Sequence, residues 1–165
     1  MTTSHINFSE LLKLPVCFLG LGFGSGLAPK APGTFGTLAA VPLYLLMQYL
    51  PVISYISVVV IAFVIGIWIC EQSARWIGQA DPSAVVWDEI VGYLITMIAA
   101  PSGWQWLVLG FVLFRFFDIL KPWPINLADK AIHGGLGIMV DDVIAGVFAL
   151  VVIQWLYYVF PTMMW

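Results

Sequence analysis

The chain is 165 residues long, 62% hydrophobic and only 9% charged, with a mean hydropathy of +1.01. Soluble domains carry about 25% charged residues because a water-facing surface needs them. Six Lys and Arg with nine Asp and Glu cannot clothe a compact water-soluble protein of this size, and a formal net charge of −3 gives no reason to expect a nucleic-acid partner. The length allows a single domain over residues 1–165.

In chain order, residues 1–13 are polar and mixed in charge, without the basic start and small-residue cleavage site of a removable signal peptide. Residues 5–14 suggest an amphipathic surface helix. Residues 16–27 are apolar but rich in glycine and too short to span a bilayer, so a re-entrant or interfacial segment is expected. Such backbone is tolerated at membrane depth only where protein or water covers it.

Charge-free stretches then run over residues 31–70, 90–114 and 143–165. A spanning helix needs about 20 mostly apolar residues, with roughly 17 as the lower limit. Pro51 divides the first stretch into two limbs, Pro101-Ser102-Gly103 divides the second, and the third supplies one. The expected fold is an all-α polytopic membrane bundle with spans near 35–50, 52–72, 86–100, 104–120 and 139–159. Threaded alternately, Lys30, the 71–81 loop, Asp88, Glu89, Arg115, Asp118, Lys121, Asp129, Lys130, Asp141 and Asp142 fall on one side. The turns at Pro51 and Pro101 and the C-terminus fall on the other and carry no charge. The bias of Lys and Arg makes the charged side cytoplasmic. Several limbs are short, which points to a site buried at their cytoplasmic ends.

Two acidic segments resemble each other: Trp87-Asp88-Glu89-Ile90-Val91-Gly92 and Asp141-Asp142-Val143-Ile144-Ala145-Gly146. Read as helix starts, both place an acid four residues before a glycine on the same face, where the glycine admits a close neighbour. A third segment, Arg115-Phe116-Phe117-Asp118-Ile119-Leu120-Lys121-Pro122, puts Arg115 beside Asp118 and Asp118 beside Lys121 at helical spacing. Taken singly, such acids are as readily helix caps or structural ion pairs. Acids on three separate spans at one face are harder to explain by capping, and carboxylates near membrane depth are functional by default. Asp88, Glu89, Asp118, Asp141 and Asp142 are therefore the expected Mg²⁺ ligands, with Asp88, Asp118 and Asp142 as the catalytic acids. Carboxylates hold the hard cation while Arg115 and Lys121 hold phosphate oxygens.

The segment Gly22-Phe23-Gly24-Ser25-Gly26 through Pro29-Lys30-Ala31-Pro32-Gly33-Thr34 reads as a phosphate cradle, with Ser25, Lys30 and Thr34 as contacts. Cys17 and Cys70 lie in apolar runs and read as packed thiols. His5, His133, Glu71 and Asp81 are given no role. Residues alone thus reach Mg²⁺ and a lipid phosphate, with an ion or proton transporter as the rival reading.

The motifs Ala31-Pro32-Gly33-Thr34, Val86-Trp87-Asp88-Glu89, Phe117-Asp118 with Lys121-Pro122-Trp123-Pro124-Ile125, and His133-Gly134-Gly135-Leu136-Gly137 running on to Asp141-Asp142 and Gly146 resemble bacterial phosphatidylglycerophosphatase A. The resemblance covers residues 16–149. It implies a Mg²⁺-dependent phosphoric monoester hydrolase of the bacterial inner membrane, its site facing the cytoplasm, that converts phosphatidylglycerophosphate to phosphatidylglycerol and inorganic phosphate in phospholipid biosynthesis. Its partners would be the lipid substrate and the bilayer, with no obligate protein partner. Five acids exceed the need of one Mg²⁺, so either a second ion binds or one acid is a base. Water or an aspartate is the nucleophile.

Overall fold

In the computed structural model the described residues are 11–160, with the side chains of residues 128–130 outside the description. The surface helix expected over residues 5–14 therefore lies mostly outside the described residues, as do the side chains of Asp129 and Lys130. Every regular element among the described residues is helical. In order they are α1 (Pro15–Gly20), a 3₁₀ run (Gly22–Leu27), α2 (Pro32–Met47), α3 (Val52–Ile77), α4 (Trp87–Thr96), α5 (Trp104–Leu120), α6 (Ile125–Ala131) and α7 (Gly134–Val159).

Breakers in the sequence explain the boundaries. Pro32 starts α2 at a position where a missing N–H costs nothing. Pro51 precedes α3, and Gly78 ends it in the left-handed conformation (φ 79°). Pro122 and Pro124 follow α5. Two expectations are corrected here. The charged loop placed at 71–81 is helical as far as Ile77, because nothing before Gly78 breaks the helix and Arg75 pairs with Glu71 one turn back (2.8 Å). The last helix begins at Gly134, not near 139, so Asp141 and Asp142 sit about two turns inside α7.

By length and composition, α3 and α7, at 26 residues each, are the two described helices able to cross a membrane. Only 22% of the most apolar stretch of α3 is buried inside the protein. Its outward face carries Ile53, Val60, Ile61, Val64 and Trp68, all more than half exposed. That surface suits hydrocarbon, not water.

The expected span over 86–100 differs most from the structure. Helix α4 has 10 residues, about 15 Å of rise, half the thickness of a bilayer core of about 30 Å. Such shortness is affordable because the helix is central: α2, α3, α5 and α7 all pack on it, and every residue from Ile90 to Thr96 is buried. Other helices also satisfy the carbonyls near its C-terminal end. Tyr55 Oη donates to Leu94 O (2.7 Å), and Gln154 Nε2 donates to Ile98 O and Ala99 O (both 3.0 Å). Irregular backbone is thereby kept from lipid.

Glycine lets α4 and α7 touch. A Cβ on Gly146 would stand 2.5 Å from Gly92 O, and one on Gly92 would stand 2.9 Å from Asp142 O. The two acid-to-glycine repeats are thus the two sides of one helix crossing, which brings Asp88 and Asp142 together.

Candidate active site

One cavity of about 450 Å³ opens at the end of the bundle where α2 and α4 begin and α5 ends. Its wall includes Asp88 and Glu89 from the first turn of α4, Arg115 and Asp118 from the last turns of α5, Lys121 just beyond, and Asp141 and Asp142 from α7. The five acids and two of the cations expected from sequence therefore share one space.

Geometry removes the simple capping explanation for most of them. Only Asp88 and Glu89 lie in a helix first turn, and neither caps α4 from its N-cap position, which is Val86. Asp141 and Asp142 are inside α7, beyond reach of its free N–H groups. Asp118 lies in the last turn of α5, where the helix dipole disfavours an anion. Arg115 offsets that cost: its Nη1 contacts Asp118 Oδ2 (2.5 Å) and lies 3.7 Å from Glu89 Oε1. Lys121, in the left-handed conformation at the helix end, reaches Asp141 Oδ2 (2.6 Å). Asp141 and Asp142 are 7% and 3% exposed.

Oxygens of Asp88, Glu89 and Asp142 come within 4.8 Å of one another. Asp88 Oδ1, Glu89 Oε2 and Asp142 Oδ2 are buried without a hydrogen-bond partner. Buried carboxylate oxygens require compensation, and among the described residues six acids, Asp81 at the mouth included, line the cavity with Arg115 and Lys121 as its Lys and Arg cations. An all-oxygen donor set with no Cys or His in it fits a hard divalent cation such as Mg²⁺, and not zinc. Arg115 Nε is buried and likewise lacks a partner.

The glycine-rich segment does something other than expected. The N–H groups of Gly24 and Gly26 both donate to Leu21 O, and that of Ala28 donates to Ser25 O, so these amides are consumed in local turns. Gly20, Gly22 and Gly26 are packing residues. A Cβ on Gly20 would collide with Ser73 Oγ and one on Gly26 with Ala84 O, while Val86 N donates to Gly20 O (2.9 Å). The segment braces the strap that delivers Asp88. Ser25, Lys30 and Thr34 do not line the cavity; Lys30 is exposed and the Thr34 amide bonds to Ala31 O. Burial pushes the Cys17 thiol above its ordinary range, in keeping with a packed residue.

Sequence reading passed over three wall residues. Asp81 and His133 are exposed at the mouth, and nothing in their local sequence separates them from loop residues. Gly33 was embedded in a quoted motif, yet it matters for closeness: a Cβ there would overlap Glu89 Oε1 and stand 2.9 Å from Arg115 Nη1. Gly33→Ala is therefore expected to lower turnover at this site by about a hundredfold, since an ångström of displacement at reacting groups has that effect. Thermal unfolding should be little changed, because the carboxylate is the group that must move. Wild-type turnover in Gly33→Ala would show that Glu89 need not hold this position.

Comparison with known proteins places the chain in the class of phosphoric monoester hydrolases. The chain belongs to the phosphatidylglycerophosphatase A family, whose model matches residues 18–157. It is 48% identical over 136 residues to phosphatidylglycerophosphatase A of Escherichia coli K12, spanning 82% of this chain and 79% of that protein. The Haemophilus influenzae protein of the same name is 43% identical over 141 residues, 84% and 86% of the two chains. A Bacteroides thetaiotaomicron protein, provisionally named a phosphatidylinositol-3-phosphatase, is 41% identical over 148 residues, 85% and 91% of the two. No solved structure is significantly similar to the chain.

Proposed function

We propose that the protein is a Mg²⁺-dependent phosphatase of the bacterial inner membrane that removes the terminal phosphate of phosphatidylglycerophosphate, forming phosphatidylglycerol for phospholipid biosynthesis. The observation that carries this reading is the meeting of Asp88, Glu89 and Asp142, from two helices, in a cavity also lined by Arg115 and Lys121. The names of the Escherichia coli and Haemophilus influenzae relatives support the substrate.

In this reading α2, α3, α5 and α7 cross the bilayer, while α4, too short to cross by itself, is sheathed by them and the 16–27 segment lies at the interface. The cavity faces the cytoplasm, where the Lys and Arg lie. Asp88, Glu89 and Asp142 would hold the metal, with Asp118 and Asp141 as further ligands or supporting acids. A bound divalent ion would supply concentrated positive charge for the phosphate oxygens and for activation of water.

The chain's own groups do the rest. Arg115 and Lys121 lie on the cavity wall, where they can take the equatorial oxygens. Lys30 and the hydroxyls of Ser25 and Thr34 stand outside this wall and are left with a supporting role at most. Water is the nucleophile we favour, with one buried carboxylate as its base. Its oxygen bonds to phosphorus, the ester P–O bond breaks, and the proton passes to the leaving glycerol oxygen. A phosphorylated aspartate is the other route, and the two differ in stereochemistry: direct attack by water inverts a chiral phosphorus, whereas two successive displacements retain it.

The test is inorganic phosphate released by the purified protein in mixed micelles with Mg²⁺. Phosphatidylglycerophosphate should be turned over faster than phosphatidic acid or phosphatidylinositol 3-phosphate. A preference for the inositol lipid would transfer the assignment to the activity named for the Bacteroides relative, and no release from any of the three would overturn it.

A further inference from the structure

The mouth of the cavity has two unlike edges. Ala31, Ala80, Asp81, Ser83 and His133 are exposed wall residues, small or polar, whereas Ile119 is the one large apolar side chain among the exposed wall residues described. Ile119 is 66% exposed. It also ends a stripe: Val108, Val112 and Phe116 follow one another at helical spacing up α5, each between 52% and 55% exposed. An apolar track thus runs the length of α5 on the outer surface of the bundle and enters the polar cavity at its final member. One turn before Ile119, Arg115 faces inward to Asp118 and Glu89.

We propose that the Ile119 edge is where the acyl-glycerol part of the substrate passes from the cavity to the bilayer, so that Ile119 sets the preference for a lipid phosphomonoester over the same head group in water. This rests on the lipid-phosphatase reading and adds to it the route by which the lipid lies. A lipid phosphate carries a charged head and apolar chains on one molecule, and a site built for it needs a wet edge and an oily one. Asp81, Ser83 and His133 form the wet edge, open to head-group hydroxyls and to departing phosphate. The stripe ending at Ile119 is the oily edge, continuous with the surface that hydrocarbon covers. The sharp change of character falls within the last turns of α5: Arg115 and Asp118 point to the site, Phe116 and Leu120 point away, and Ile119 lies between them.

The test compares phosphatidylglycerophosphate in micelles with its deacylated, water-soluble head group, using full-length Ile119→Asn, Ile119→Leu and Leu46→Asn. Leu46 is 75% exposed near the opposite end of α2 and does not line the cavity. Ile119→Asn should lower the ratio of lipid to head-group kcat/KM by about tenfold, the effect of losing an apolar contact of this size. The loss should lie in the KM for lipid and not in kcat, Ile119→Leu should restore the ratio, and Leu46→Asn should leave it at the wild-type value. An unaltered ratio in Ile119→Asn, an equal loss with Leu46→Asn, or a fall confined to kcat would overturn the proposal. A wild-type protein that releases phosphate from neither substrate would instead bring down the phosphatase reading itself.

Discussion

Asp142→Asn is expected to abolish phosphate release, by about a thousandfold or more, while the protein stays folded. Removing a group that merely orients a metal ligand costs about 10–100-fold in activity or metal affinity, and a direct ligand costs more. Asp142 is 3% exposed, one of its oxygens has no partner, and it meets Asp88 and Glu89 within 4.8 Å. Asparagine keeps the shape and removes the charge. An unpartnered buried carboxylate is a destabilising feature, so the variant should unfold in detergent at the wild-type temperature or above it. The pairing of lost turnover with kept or raised stability is what separates a functional acid from a structural one. Near-normal turnover would remove Asp142 from the site, and a collapse in Tm would assign it to the architecture.

Chelation is expected to have an equally large effect. Three carboxyl groups with oxygens within 4.8 Å of one another repel when ionised, and a divalent cation between them would relieve that repulsion. Arg115 and Lys121 are committed to Asp118 and Asp141 and relieve only part of that. Excess EDTA should therefore silence the enzyme, and Mg²⁺ added back should restore it. Binding to the folded state alone also raises stability by mass action, so Mg²⁺ should raise the Tm of the wild type, and that rise should shrink in Asp142→Asn. Full turnover in excess chelator would rule out a metal-dependent reaction.

Much of this site was legible before the structure. The acid-to-glycine repeats at Asp88–Gly92 and Asp142–Gly146 marked a helix crossing beside carboxylates, and Arg115, Asp118 and Lys121 sat at helical spacing against a proline stop. Those signals are local periodicities, which sequence carries directly. What could not be read was the partnership between distant segments. The shortness of α4 depends on its being wrapped by four other helices, and composition does not say which apolar helix is central. The glycines at 20–26 looked like an anion cradle because free amides and packing glycines have the same sequence, and only the bonds to Leu21 O and the fit against Ser73 and Ala84 distinguish them. The start of α7 was misplaced because His133-Gly134-Gly135 reads as a loop. In the structure Glu71 Oε2 accepts the Gly135 N–H (2.6 Å), and a Cβ at Gly135 would collide with Ile67 O, so the helix starts here in close contact with α3.

The central claim is that acids carried by different helices make one cation site, and Mn²⁺ binding followed by electron paramagnetic resonance tests it without recourse to activity. Saturable binding is expected in the wild type. Asp88→Asn in α4 and Asp142→Asn in α7 should each weaken it at least about tenfold, with Leu46→Asn binding as the wild type does. Folded wild-type protein that takes up no Mn²⁺, or binding that neither substitution weakens, would contradict the account.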